Sequence, residues 1–162
     1  FFHGVMMPGR TGMEIIDIAL ARFQQKYSCA QAVFSALAER RAIDKELALR
    51  VAAGFGGGIA RSAQTCGCVT GAVMAIGLEQ SSVSPEENKA GYERTYETAQ
   101  RLMREFADRN GSICCRDLLG CNIGTAEGLQ EARQNNLFQK RCTKFVRDAV
   151  EIVDQIVAAR AQ

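Results

Sequence analysis

The sequence predicts an all-α protein, a single-domain bundle of about six to seven helices around a buried Gly/Ala-rich central helix. Three observations lead there. Apolar residues recur at spacings of three and four almost from end to end, whereas strand patterns are scarce. The 162 residues suit one domain, long enough to bury a hydrophobic core without disulfides or a structural metal. The run Ser62–Leu78 holds 17 uncharged residues rich in Gly, Ala, Ser and Thr. It falls short of the ~20 strongly apolar residues of a spanning helix, so no membrane insertion is expected. Its small side chains suit a buried helix whose neighbours come close.

The elements follow in order. About Met13–Lys26 forms a first helix with Ile16, Leu20, Phe23 and Tyr27 on one stripe. In SCAQAVFSAL, Ser28 and Gln31 have the spacing of a capping box, which starts a second helix with Cys29 in its first turn and Val33, Phe34 and Leu37 on its buried face. Asp44 caps a short third helix through Ala53, and the cluster Gly54–Gly58 ends it. The central helix begins near Thr65. Ser84, Pro85 and Glu87 then supply N-cap, first-turn proline and box partner for a long helix striped by Tyr92, Tyr96, Ala99, Met103 and Phe106, and Asn110-Gly111 stops it. Ser112 is placed to cap a short helix holding Cys114 and Cys115, and Thr125 to cap another. A long last helix carries Phe138, Cys142, Phe145, Ala149, Ile152 and Ile156 on one face. Residues 1–162 read as one domain without linker, repeat or low-complexity segment.

Twenty basic and 18 acidic residues give a net charge of +2 with the signs interleaved, which leaves no basic footprint for nucleic acid or a membrane surface. Tryptophan is absent, and the phenylalanines sit mostly at apolar helical positions rather than on a stacking platform. The opening FFHGVMMPG lacks a basic n-region, a long apolar stretch and a small-residue cleavage pattern, so the expected compartment is the reducing cytoplasm. Clustered cysteines there serve metals or redox chemistry more often than structural bridges.

GFGGGIARS invites comparison with a phosphate loop. It lacks the G-x-x-x-x-G-K-[ST] pattern, fails G-x-G-x-x-G at Ile59, and follows a helical pattern where both motifs need a strand. The glycines therefore serve a close backbone approach or a helix-to-helix connection.

Seven cysteines are many for this length, and an odd number leaves at least one unpaired. Ser28-Cys29, Thr65-Cys66 and Ser112-x-x-Cys115 each place a thiol just after a candidate N-cap, where the helix dipole and free N–H groups favour the thiolate. Arg61 is positioned in sequence to add charge near Cys66. The alternative is that these are inert core thiols, and Cys142 on its apolar stripe reads first as a small hydrophobe. Cys66-x-Cys68 is too tight for a zinc knuckle, and Cys114-Cys115 with Cys121 has no matching second pair. His3, the single histidine, lies in the terminus and is not expected to act as ligand or base.

Four blocks, YSCAQAVFSAL, GGGIARSAQTCGCVTGAVMAIGL, CRDLLG and CTKFVRDAVEIV, follow one another in order from about Ala21 to Ile156. In order and spacing they resemble the redox-active protein family named for its C-GCAxxG-C-C cysteine pattern. The resemblance puts the family cysteines on Cys29, Cys66, Cys115 and Cys142 and the motif glycines on Gly67 and Gly71. Cys68 stands where the motif has alanine, and Cys114 and Cys121 are extra to the four. A helical fold and a redox role, as oxidoreductase or electron carrier, are implied; a reaction is not.

Three readings remain open. In the leading one, Cys29, Cys66, Cys115 and Cys142 converge to ligate an iron-sulfur cluster of the [2Fe-2S] type for electron transfer. In the second, a metal-free thiol/disulfide oxidoreductase cycles a dithiol between two of them, with Cys66 as attacking thiolate and Cys29 the other catalytic candidate. In the third, the same thiolates hold zinc in a helical interaction module. Gly57, Gly58, Arg61 and Gly67 are expected to support the bound group, the glycines by bringing backbone N–H groups against sulfur. A redox partner protein is expected in either redox case.

Overall fold

A computed structural model describes residues 10–81 and 84–160. His3 lies outside them. Eight α-helices account for the described fold, one or two more than expected. Helix α1 (Gly12–Gln24) opens with a capping box the sequence reading missed, in which Thr11 and Glu14 bond each other's backbone N–H. Helix α2 (Cys29–Ala38) has the expected Ser28–Gln31 box, with the Gln31 N–H donating to Ser28 Oγ at 3.3 Å and the Ser28 N–H to Gln31 Oε1 at 3.0 Å. Helix α3 (Lys45–Val51) is capped by Asp44, and its Leu49 carbonyl accepts from Gln31 Nε2 at 3.0 Å, which ties it to α2. A 3-10 turn, Ala53–Phe55, leads into the glycine loop.

Helix α4 (Gly67–Gln80) starts two residues later than expected and buries Gly67, Val69, Gly71, Ala72, Ala75 and Ile76. It packs against α2, against α5 (Pro85–Asn110) and against the last helix, α8 (Thr143–Arg160). Between them lie the short α6 (Cys115–Leu119) and α7 (Ala126–Gln134). Gly111 and Gly120 end α5 and α6 in left-handed conformations, as C-terminal glycines commonly do.

The core fills the space between these faces. Ile15 and Ala19 of α1, Val33 of α2, Ile76 of α4, Leu102 and Phe106 of α5, and Val146, Ile152 and Ile156 of α8 are almost wholly inaccessible. Each large side chain among them is worth about 1.5–3 kcal/mol in burial. Phe106 and Phe145 lock α5 to α8 with ring centroids 6.1 Å apart. The expected α5 stripe holds only in its second half, because Tyr92 and Tyr96 pair with each other at 5.4 Å and Tyr96 stays exposed. Arg22 is the charged residue within α1's buried face. It donates to Ser35 Oγ at 2.9 Å and pairs with Glu39, so its charge is not left unsatisfied.

Candidate functional site

Three cysteines start helices. Cys29 is the first residue of α2, Cys66 is the N-cap of α4, and Cys115 opens α6 behind Cys114 as its N-cap. Ser112, expected to cap α6 itself, instead accepts from the Cys114 N–H at 2.9 Å. The loops before α4 and α6 are stitched together. The Cys66 N–H donates to the Ile113 carbonyl at 2.8 Å, the Cys115 N–H to the Gln64 carbonyl at 2.6 Å, and Thr65 and Cys114 form an antiparallel bridge. Cys114 Sγ adds a bond to the Ala63 carbonyl at 3.3 Å. Cys66 and Cys115, distant in sequence, therefore enter the fold side by side.

Cys142 does not sit within the last α-helix as expected. It closes a π-helical turn, Phe138–Cys142, ahead of α8. Such turns inside helices concentrate at functional sites. Arg141 Nη1 reaches the Leu118 carbonyl at 3.1 Å and fastens this turn to the end of α6.

The α2–α4 crossing explains the glycines. A methyl built on Gly67 would lie 2.5 Å from Cys29 Sγ, and one on Gly71 would lie 2.8 Å from the Ala30 carbonyl oxygen. Only hydrogen at both positions lets the backbones approach this closely. Gly67 is thus the seat of the Cys29 sulfur. Cys66 and Cys68 flank Gly67 at the start of the same helix, which brings them beside that sulfur. Cys68 is fully buried, and sequence reasoning had set it aside as an extra thiol. Its position two residues after Cys66, in the first turn of one helix, was the available signal.

These contacts polarise the thiols. Hydrogen bonds from Cys66, then Cys68, hold the Cys29 thiol well below its ordinary range, with the N–H groups of Gly57 and Ala30 adding to them and burial opposing. Cys66 is pushed well above that range, chiefly by its hydrogen bond to Cys29. Burial drives Cys68 up in the same direction. Burial also raises Cys115 to about 12 and lifts Cys142 strongly. Cys29 is half-buried, whereas Cys66, Cys68, Cys115 and Cys142 are buried. The preference for a thiolate at Cys29 comes from sulfur and backbone donors rather than from Arg61.

Gly57 reaches Cys29 by an unusual route. Gly57, Gly58, Ile59, Ala60 and Arg61 all have φ between +48° and +72°. Left-handed backbone costs a non-glycine residue about 1–2 kcal/mol. The N–H groups of Arg61, Ala63 and Gln64 hold the loop by donating to the carbonyls of Gly56, Gly57 and Gly58, each at 3.1 Å. Gly57 lines the same cavity as Cys29, and its N–H is among the donors that lower that thiol. Gly58 faces the loop's own return, where a side chain would come within 2.5 Å of the Gln64 nitrogen.

Cys29, Cys66, Cys115 and Cys142 line one cavity of about 780 Å³, together with Gly57 and Arg61. All seven cysteines are free thiols. Among the described residues, no three His, Cys, Asp or Glu side chains are grouped so as to hold a metal ion. Nor is any described helix long and apolar enough to cross a membrane.

A protein-family profile matches residues 27–156, and its description reads "Putative redox-active protein (C_GCAxxG_C_C)". The chain belongs to this family. The matched span contains the four cavity cysteines and the two glycines of the α2–α4 crossing. An "Uncharacterized protein" of Archaeoglobus fulgidus is 30% identical over 131 residues, covering 77% of this chain and 81% of that protein. No solved structure is detectably similar.

Proposed function

We propose that this member of the redox-active family is a thiol/disulfide oxidoreductase in which Cys29 attacks and Cys66 resolves. The observation that carries it is the seating of the Cys29 sulfur against Gly67, between Cys66 and Cys68 at the start of α4, beside a cavity that Cys29 and Cys66 both line. That arrangement selects one thiolate, partly exposed on a cavity, and keeps its resolving partner protonated in contact with it. It reverses the order expected from sequence, which gave the attack to Cys66.

The Cys29 thiolate attacks one sulfur of an incoming disulfide, whose S–S bond breaks as a mixed disulfide forms. The departing thiolate takes the proton of Cys66. Cys66 then displaces the second thiolate from Cys29 Sγ, leaving a Cys29–Cys66 disulfide and two product thiols, the second of which takes a proton from solvent. Two electrons pass from the chain to the substrate. A dithiol partner protein returns them by the reverse exchange.

The iron-sulfur and zinc readings rest on the four cysteines that share the cavity, but those side chains are not grouped as a metal-ligand set. Treating the reduced protein with one equivalent of diamide and mapping disulfides by mass spectrometry tests the thiol reading. A Cys29–Cys66 bond is the expected product; pairing that leaves Cys29 alkylatable overturns it. Anaerobic purification followed by a visible spectrum and iron and acid-labile sulfide analysis is the second arm. Brown protein holding both iron and sulfide replaces the dithiol centre with a cluster.

A further inference from the structure

The cavity is larger than a pair of thiols requires. Its volume of about 780 Å³ lies within the range of sites that enclose small organic ligands, roughly 300–1,000 Å³. Its walls are apolar, with Leu118, Leu119, Ile123 and Phe145 buried and facing the same space as the four cysteines. Charge is distributed unevenly around it. Lys26, Arg61 and Arg133 are exposed residues of the lining, and among the described residues no Asp or Glu lines the cavity. None of the three cations takes part in an ion pair among the described residues. Elsewhere arginines do pair, as Arg22 does with Glu39 and Arg109 with Glu151. An apolar chamber edged by three unneutralised cations attracts a molecule with a hydrophobic body and a negative group, because the body gains from burial and the charge meets no repulsion.

We propose that the cavity binds a small amphipathic anion and that the substrate of the Cys29 centre is an organic disulfide of that kind, with an apolar body and a carboxylate or similar acid. The anion-binding half stands on the lining alone; the disulfide half rests on the thiol-exchange reading above. The carboxylate lies toward Arg61 and Arg133, and the apolar body brings its S–S bond to Cys29. Exchange then proceeds as written above, with the substrate reduced to its thiols and the Cys29–Cys66 pair oxidised.

Two measurements separate the halves. The first uses 8-anilino-1-naphthalenesulfonate, an apolar anion without a reactive sulfur, titrated by fluorescence into the folded, reduced protein. Saturable binding is expected, weakened about tenfold in Arg61→Gln/Arg133→Gln, as electrostatic focusing predicts. Both substituted side chains are exposed, and an unchanged circular dichroism spectrum checks the fold. No saturable binding, or equal binding to the variant, overturns the anion site. The second compares the stopped-flow rate of Cys29 with 5,5′-dithiobis(2-nitrobenzoate), an aromatic disulfide bearing carboxylates, against that with the uncharged 2,2′-dithiodipyridine. Each rate is normalised to that of glutathione. A preference of about tenfold for the anionic reagent that disappears in the double variant supports the substrate class. Equal normalised rates overturn that class, and a Cys29 inert to both reagents in protein that binds the sulfonate overturns the thiol-exchange reading while the anion site stands.

Discussion

Gly67 and Cys29 share one point of the α2–α4 crossing: the place a Gly67 methyl would take lies 2.5 Å from Cys29 Sγ, 3.0 Å from the Phe55 carbonyl oxygen and 3.1 Å from the Ala30 nitrogen. Two of those three neighbours are backbone, which cannot rotate away. Gly67→Ala is therefore expected to push α2 off α4 and to move the Cys29 sulfur. Overpacking of this kind costs about 1–3 kcal/mol, against a gain of about 1 kcal/mol in helix propensity. A lower melting temperature together with a changed Cys29 alkylation rate is the expected result. A more stable protein with unaltered labelling contradicts the crossing as described.

Removing the sulfur donors is expected to slow Cys29. Cys66→Ala takes away the largest stabilising contact on its thiolate, and Cys68→Ala the next. Both variants should react more slowly with iodoacetamide at a pH below the ordinary thiol range, Cys66→Ala more so, each unit by which the pKa rises above the working pH cutting the thiolate fraction about tenfold. Rates measured by mass spectrometry at Cys29 decide the point; equal rates in all three proteins leave the sulfur contacts without a role.

Stability should turn over with pH. A thiol raised in the fold contributes stability below its unfolded value, ~8.5, and loses it as pH climbs toward the folded value. Cys66, Cys68, Cys115, Cys121 and Cys142 are of this kind, Cys115 reaching about 12. Cys29 runs the other way: its lowered value adds stability above ~8.5 that is lost as pH falls through the folded value. Below ~8.5 rising pH therefore helps through Cys29, and above it that contribution is constant while the five raised thiols lose theirs. Urea midpoints under reducing conditions should peak near pH 8 and drop by pH 10, less steeply in Cys115→Ala than in the parent. A parent midpoint still rising at pH 10 contradicts the assignment.

Much of the fold was legible because its signals are local. The Ser28–Gln31 box, Asp44, the Ser84-Pro85 start and the Gly111 stop depend on residues within one turn of each other. So do the helix-start positions of Cys29, Cys66 and Cys115. What was missed depends on tertiary context. Nothing in the propensities of Ile59, Ala60 or Arg61 announces a left-handed loop, since each resists it unless the surrounding hydrogen bonds impose it. The π turn at Phe138–Cys142 interrupts an apolar period too briefly to read. The proposed order of Cys29 and Cys66 rests on the seating of the Cys29 sulfur at Gly67, a property of the α2–α4 crossing rather than of either segment alone.

The reciprocal bonds between Cys66 and Ile113 and between Cys115 and Gln64 have a consequence for amide hydrogen exchange. Neither N–H can reach solvent by fraying its own helix, because each is held by the opposite loop. One separation of the two loops frees both. Their exchange rates, corrected for intrinsic chemistry, should therefore give a single opening free energy, shared by two amides on opposite sides of the long helix α5 in the chain. That same opening parts the starts of α4 and α6, so the pair of amides serves as a built-in reporter of how often the cavity wall comes apart.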